Sequence, residues 1–198
     1  MSSTLNLAKV ADFLHEVGML KRTPRTGFQF LGTGSENVAE HCFRTAVIGF
    51  VLAGMAGADR EKTVFMCLFH DLHESRVGDM NYVNRLYSQT KDRAALEDAL
   101  KGTGLAGDIM PLHEELVQGA TLEAALAEDA DQLDLVLSLK EQEDLGNRYA
   151  TKWLECALAR LKTEPGRLLG EEIRKSDHTE WWFAGQDRCW WIERKNRK

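Results

Sequence analysis

His70 and Asp71 stand side by side at the end of an apolar run, Val64 to Phe69. Imidazole and carboxylate are both ligands for divalent transition ions. A carboxylate carried into apolar surroundings is costly unless it is paired or holds a metal. Adjacent helical residues point about 100° apart, so both reach one ion only if it sits beside the helix end. Taken alone, the dipeptide is better explained as a helix-terminal histidine followed by a capping acid. Two other positions extend it. His41 follows Glu40 at the head of a second apolar segment, and Asp131 lies between Ala130 and Leu133 in the acidic run Glu128 to Asp134. Asp129 and Asp134 in that run read as members of a solvated face. Two imidazoles and two carboxylates would make a mononuclear site for Mn²⁺, Co²⁺, Fe²⁺, Ni²⁺ or Zn²⁺ rather than Ca²⁺. Such an ion polarises a phosphoryl oxygen and acidifies bound water.

Helical elements must position these residues. Leu5, Val10, Phe13, Leu14 and Val17 recur at helical spacing and predict a first helix over Leu5 to Gly18. Lys21 to Ser35, with Pro24, Gly27, Gly32 and Gly34, reads as a loop, and Lys21, Arg22 and Arg25 make it locally basic. Asn37 and Glu40 form a capping-box pattern ahead of the helix bearing His41. Asp59 caps a third helix, apolar nearly all round and expected at the centre of the core. Shorter helices fit Tyr82 to Tyr87, Asp92 to Leu100 and Asp108 to Val117. Thr121 caps a long helix to about Leu145, with Asp131 on the edge of its apolar stripe. Further helices fit Arg148 to Lys162 and, with Pro165 in its first turn, a stretch ending near Lys175. No strand-like alternation appears, so the fold class is all-α. Residues 1–176 read as one helical domain and 177–198 as a Trp-rich, basic appendage carrying Trp181, Trp182, Trp190 and Trp191.

The 198 residues carry a formal net charge of -6. An acidic surface argues against nucleic-acid or anionic-membrane partners. It leaves room for a small phosphate ester in a local basic pocket. Cys42, Cys67, Cys156 and Cys189 form no CxxC pair and read as reduced core thiols, which points to the cytoplasm. The N-terminus lacks the pattern of a signal peptide, and the longest apolar stretch, Ala46 to Ala58, is too short to span a bilayer.

Three blocks carry a family resemblance: Lys21-Arg22-Thr23-Pro24-Arg25-Thr26-Gly27-Phe28, Ser35-Glu36-Asn37-Val38-Ala39-Glu40-His41, and His70-Asp71-Leu72-His73-Glu74-Ser75-Arg76-Val77-Gly78-Asp79. With Asp131 they resemble the HD-domain superfamily of metal-dependent phosphohydrolases, in its 5'-deoxynucleotidase branch, over roughly Leu5 to Lys162. The resemblance implies an HD-domain helical bundle that forms homodimers. It also implies one divalent ion per chain (Mn, Co, Fe, Ni, Zn or Mg) on His41, His70, Asp71 and Asp131. By the same resemblance Glu74 is the catalytic acid, Asp79 an acid that acts at the sugar, and Arg22 the arginine that grips the phosphate. The implied substrate is a deoxynucleoside 5'-monophosphate. Bacterial members carry an aromatic after the phosphate arginine, where this chain has Thr23. Two alternatives stay open: an HD-fold di-iron oxygenase, for which His73 and His113 would be the extra ligands, and a non-catalytic nucleotide-binding HD module.

Overall fold

Asn37 starts the helix that carries His41. Its side chain accepts a hydrogen bond from the Glu40 amide, and Glu40 accepts one from the Asn37 amide, completing the capping box. The structure, a computed structural model, describes residues 5–183. Among these the order is α1 Leu7–Val17, α2 Val38–Ala56, α3 Arg60–Phe69, α4 Glu74–Val77, α5 Tyr82–Tyr87, α6 Asp92–Leu100, α7 Ala106–Gln118, α8 Leu122–Asp144, α9 Arg148–Leu158, α10 Glu164–Lys175 and α11 Glu180–Phe183. Turns of 3₁₀ helix occupy Gly18–Lys21 and Thr26–Phe30. An isolated antiparallel bridge joins Pro24 to Asn37, and no strand occurs among the described residues. The all-α class expected from the sequence is the one observed.

The core is built round α8 rather than α3. Ala124, Leu126, Ala127, Ala130, Leu133, Val136 and Leu139 are all buried along α8, where α2, α3, α9 and α10 pack on them. α3 buries only Thr63, Met66 and Cys67, and leaves Phe65 and Leu68 exposed. Its apolar residues surround the helix, but α2, α7 and α8 cover only part of it. Gly49 lets α2 and α3 approach: a Cβ there would meet Cys67 Sγ at 2.6 Å.

A second apolar cluster gathers Phe13, Leu20, Val38, Cys42, Leu72, Leu96, Leu100 and Ile109. The first turns of α2 supply Val38 and Cys42 to it, whereas Ala46, Ile48 and Leu52 belong to the main core. His41 therefore sits on the part of α2 clasped between the two clusters.

The 19-residue α2 is the one helix among the described residues long and apolar enough to cross a membrane. The apolar stretch expected from Ala46 onward is shorter because it leaves out the polar first turns. The most apolar window of α2 is 50% buried, and its His41 and Arg44 are bonded to α8, as in a core helix. At the other end of α8, Asp144 accepts hydrogen bonds from Lys140 and from the His178 amide. The chain just beyond α10 is thereby tied to the domain. Trp190, Trp191 and the basic end of the expected appendage lie outside the described residues.

Candidate metal centre

Four side chains from three regions meet at the heart of the fold. His41 comes from α2, His70 and Asp71 from the end of α3, and Asp131 from the middle of α8. His41 Nε2 and His70 Nε2 are 3.1 Å apart. Asp71 Oδ2 stands 3.1 Å from His70 Nε2 and 3.6 Å from His41 Nε2. Asp131 Oδ1 approaches from α8, 3.1 Å from His41 Nε2 and 3.9 Å from His70 Nε2.

The other nitrogen of each ring has a partner that can only accept. His41 Nδ1 lies 2.6 Å from Asp134 Oδ2, and His70 Nδ1 lies 2.7 Å from the Cys67 carbonyl. Both Nδ1 atoms therefore carry the proton, so two neutral rings would turn bare Nε2 lone pairs toward each other. Two lone pairs at this distance repel unless a proton or a cation lies between them. Burial lowers the His41 pKa, but the hydrogen bonds to Asp131 and Asp134 outweigh it and lift it to about 10. Burial pushes Asp71 and Asp131 up, yet the imidazoles and Arg25 hold both well below the usual carboxylate range. The field at this point calls for positive charge. Donor atoms of His41, His70 and Asp71 lie within 4.8 Å of one another, so the set fits one divalent ion, with Asp131 completing it.

Asp134, read from the sequence as part of a solvated face, is buried to 1% exposure. Besides the bond to His41 it accepts from Arg44 Nε at 2.5 Å. Arg44 also reaches Ser138 Oγ, Glu141 and Glu36, which immobilises the carboxylate. The signal was present in the sequence. Asp134 lies four residues from Ala130 and next to Leu133, on the apolar stripe, and a carboxylate there needs a partner. Asp129 is equally buried, and caps the loop into α10 by accepting from the Lys162 and Thr163 amides. A carboxylate that holds a ligand histidine in one tautomer typically contributes 10–100-fold to metal affinity. Asp134→Asn is accordingly expected to weaken Mn²⁺ or Co²⁺ binding by about 10–100-fold, measured by metal-buffered titration. An unchanged affinity would remove Asp134 from the centre.

The helix breaks at His70. Asp71 to His73 form a turn, and Glu74 opens the short α4 instead of sharing a continuous helical face with Asp71. Glu74 is nonetheless brought to the centre, within 4.8 Å of Asp71 through one oxygen of each. Its side chain is buried and Oε2 has no hydrogen-bond partner among the described residues. Burial first, then the Asp71 and Asp79 charges, push its carboxyl from the usual 4.5 up to about 8. His73 lies beside Asp71 and Glu74, and pairs with His113 rather than with His41 or His70.

Arg22 is not brought to this cluster. It is exposed, and its side chain turns back to Met19 Sδ at 3.9 Å. Arg25 stands there instead. The bridge between Pro24 and Asn37, with the Arg25 amide bonded to the Glu36 carbonyl, folds the loop over α2 and swings Arg25 inward. Its Nη1 is 3.5 Å from Asp71 and 3.4 Å from Asp79, and its Nη2 is 3.8 Å from Asp131. Asp79 follows Gly78, whose φ of +75° turns the chain back toward this loop. There Asp79 accepts from the Thr26 amide at 2.5 Å and the Thr26 hydroxyl at 3.0 Å. It thus pins the loop that presents Arg25.

The cluster opens into a cavity of about 440 Å³. Arg25, Asp71, Asp79 and Asp131 line one part of its wall, and Phe28, Tyr82, Trp153 and Arg160 another. Tyr82 and Trp153 meet edge to face at 6.0 Å, and Arg160 lies over the Tyr82 ring at 4.8 Å.

Fold and donor set together define an all-helical protein built round a buried site suited to a divalent cation, with a basic group and a buried acid of raised pKa at its edge. A family model described as HD domain matches residues 17–170, and the chain belongs to that family. The human protein named 5'-deoxynucleotidase HDDC2 is similar to it, 31% identical over 144 residues that cover 69% of this chain and 70% of that one. A conserved hypothetical protein from Pyrococcus furiosus superposes with a TM-score of 0.70 at 30% identity, over 84% of this chain and 99% of its own. A predicted metal-dependent phosphohydrolase from Magnetospirillum magnetotacticum shares the fold, with a TM-score of 0.67 at 21% identity, over 85% and 93% of the two chains.

Proposed function

We propose that the protein is a metal-dependent phosphomonoesterase that releases phosphate from deoxynucleoside 5'-monophosphates. The observation that carries this reading is the pair of facing Nε2 atoms of His41 and His70, flanked by Asp71 and Asp131, at the edge of a nucleotide-sized cavity. The name borne by the human relative supports the substrate class.

In this reading His41, His70, Asp71 and Asp131 hold one divalent ion. When bound, that ion supplies a Lewis acid and a water of lowered pKa. Arg25 gives the phosphate a planar pair of donors, and Asp79 keeps it in place through Thr26. Glu74 is the proton donor to the leaving 5'-oxygen, directly or over one water. Burial holds its pKa above the ordinary carboxylate value, which favours the protonated form. The sugar and base lie along the wall formed by Phe28, Tyr82 and Trp153, which offers aromatic faces to a base. Thr23 takes no part, since its hydroxyl donates to the Met19 carbonyl and it does not line the cavity.

Chelator-stripped protein is expected to be inactive, and Mn²⁺ or Co²⁺ to restore phosphate release. A panel of ribo- and deoxyribonucleoside monophosphates, with released phosphate as the readout, tests activity, base preference and sugar selectivity together. The reading fails if no monophosphate is turned over, or if Asp71→Ala keeps full metal content and activity.

We infer a homodimer in the cytoplasm. Phe43, Val47, Phe50, Val51 and Met55 form an exposed stripe along α2, and Phe65 and Leu68 are exposed on the adjoining α3. A run of exposed apolar side chains of this kind is a usual mark of a protein interface. Phe50→Glu is expected to shift the light-scattering mass from dimer to monomer, and a wild type of monomer mass would remove the inference. Cys42 and Cys67 are free and buried, as suits a reducing compartment.

A further inference from the structure

Arg160 follows α9 and lines the cavity wall together with Tyr82, Gln132 and Trp153. Its Nη1 donates to the Tyr82 hydroxyl and, at 3.3 Å, to Gln132 Oε1. Gln132 Nε2 in turn donates to Asp131 Oδ2 at 3.1 Å, while Asp131 Oδ1 faces His41 Nε2. A run of hydrogen bonds therefore joins the metal-facing aspartate to the aromatic wall, and Arg160 is its outer end.

Both partners of Nη1 are uncharged. Arg160 pairs with no carboxylate among the described residues, and Glu128, an acid of the same wall, is taken by Lys162. Nε and Nη2 of Arg160 make no bond to the protein among the described residues. Their two N–H groups lie side by side on one edge of the planar guanidinium, the fork that grips two adjacent acceptors at once. Tyr82 and Gln132 hold the opposite side of the plane, so this fork is already fixed before a ligand arrives, which lowers the entropy lost on binding.

The ligand surface that reaches this fork is the nucleobase, which lies along Tyr82 and Trp153 in the reading above. Guanine presents N7 and O6 as two adjacent acceptors, the pair that an arginine fork fits. Adenine sets an amino donor beside N7, so one N–H of the fork meets another. Thymine offers a lone acceptor on that edge, and cytosine a donor. We propose that Arg160 is a specificity-determining residue that reads the N7–O6 edge of a 6-oxopurine, so that deoxyguanosine 5'-monophosphate is preferred over its adenine counterpart. The proposal rests on the nucleotidase reading and adds the base to it.

The test is calorimetric titration of the chelator-treated full chain with dGMP, dIMP, dAMP and 7-deaza-dGMP, beside kcat/KM for the same four with Mn²⁺ restored. dGMP and dIMP share N7 and O6, and are expected to be favoured over dAMP and 7-deaza-dGMP by about 5–30-fold. Arg160→Ala should bring that ratio close to one. So should Arg160→Lys, which keeps the charge but not the fork. Arg160 is exposed, so neither substitution disturbs the core. A wild type with no preference between dGMP and dAMP in either measurement overturns the proposal. So does an Arg160→Ala protein whose affinity for 2-deoxyribose 5-phosphate, which has no base, falls as far as that for dGMP, since Arg160 would then hold the phosphate. Phosphate release without base preference removes this proposal and leaves the nucleotidase reading standing. Selective dGMP binding without phosphate release does the reverse, and a chain that neither binds nor turns over any of the four removes both.

Discussion

Glu74→Gln is expected to lower kcat by about 10²–10⁴-fold while leaving KM for a nucleotide monophosphate nearly unchanged. The glutamine fills the same volume but has no proton to give. Glu74 is buried, has an unpartnered oxygen, and lies beside Asp71, where a proton is needed only as the phosphorus–oxygen bond breaks. The loss should shrink for an aryl phosphate, whose leaving group departs without protonation. Equal losses with both substrates would show that Glu74 does not act as an acid.

The same substitution has a second expected effect, of opposite sense. Burial and the charges of Asp71 and Asp79 lift the folded-state pKa from 4.5 to about 8. A group raised in this way contributes its stability fully below its unfolded value. That contribution is lost as pH rises through the folded value. Metal-free wild type should therefore lose stability between about pH 4.5 and pH 8 through this group, and the Gln variant should not. The variant's advantage at pH 9 should be on the order of 2 kcal/mol, since each tenfold change in proton affinity corresponds to about 1.4 kcal/mol and relaxation of the pocket returns part of it. Thermal melts of the two proteins at pH 5 and pH 9, in chelator, give the comparison. A wild type that is the more stable protein at pH 9 would contradict it.

Arg25→Ala is expected to lower kcat/KM by about 10²–10³-fold, the usual loss when a preorganised donor to developing charge is removed. Arg22→Ala should change it by less than about threefold, as for an exposed charge with no partner in the site. The contrast rests on geometry. Arg25 is mostly buried and stands within 4 Å of Asp71, Asp79 and Asp131, whereas Arg22 points back at Met19. Metal affinity supplies an independent readout. Removing Arg25 strips three carboxylates of a counter-charge, so the variant should bind its ion at least as tightly as wild type while losing turnover. If Arg22→Ala causes the larger loss, the loop is arranged differently during catalysis. Asp79→Asn, by loosening the grip on Thr26, should follow the Arg25 pattern with a smaller effect.

Helix starts were legible because capping is local. Asn37, Asp59 and Thr121 each accept a hydrogen bond from an amide three residues on, as their neighbours in sequence require. The order of His41, His70, Asp71 and Asp131 was legible through the words around it. Those residues do meet in space. The central place of α8 was not legible. α3 has the more apolar sequence, yet burial is decided by which faces find neighbours, and α8 finds them on several sides.

The choice between Arg22 and Arg25 lies in the same category. Both belong to one basic block, three residues apart, and nothing in their spacing says which one faces the acids. A backbone bridge between Pro24 and Asn37, a turn at Gly78 and the bond from Thr26 to Asp79 decide it. Asp134 is the intermediate case: its phase on the apolar stripe was visible, but the need it meets, a partner for His41 Nδ1, arises only when α2 lies against α8. The sequence by itself determined the helices, their caps and the chemical types of the donors, because these follow from contacts within a few residues. The tertiary structure alone decided which arginine, which second aspartate and which pair of extra histidines stand together. Those contacts join residues 40 to 93 positions apart. Their energies depend on burial that no local pattern specifies.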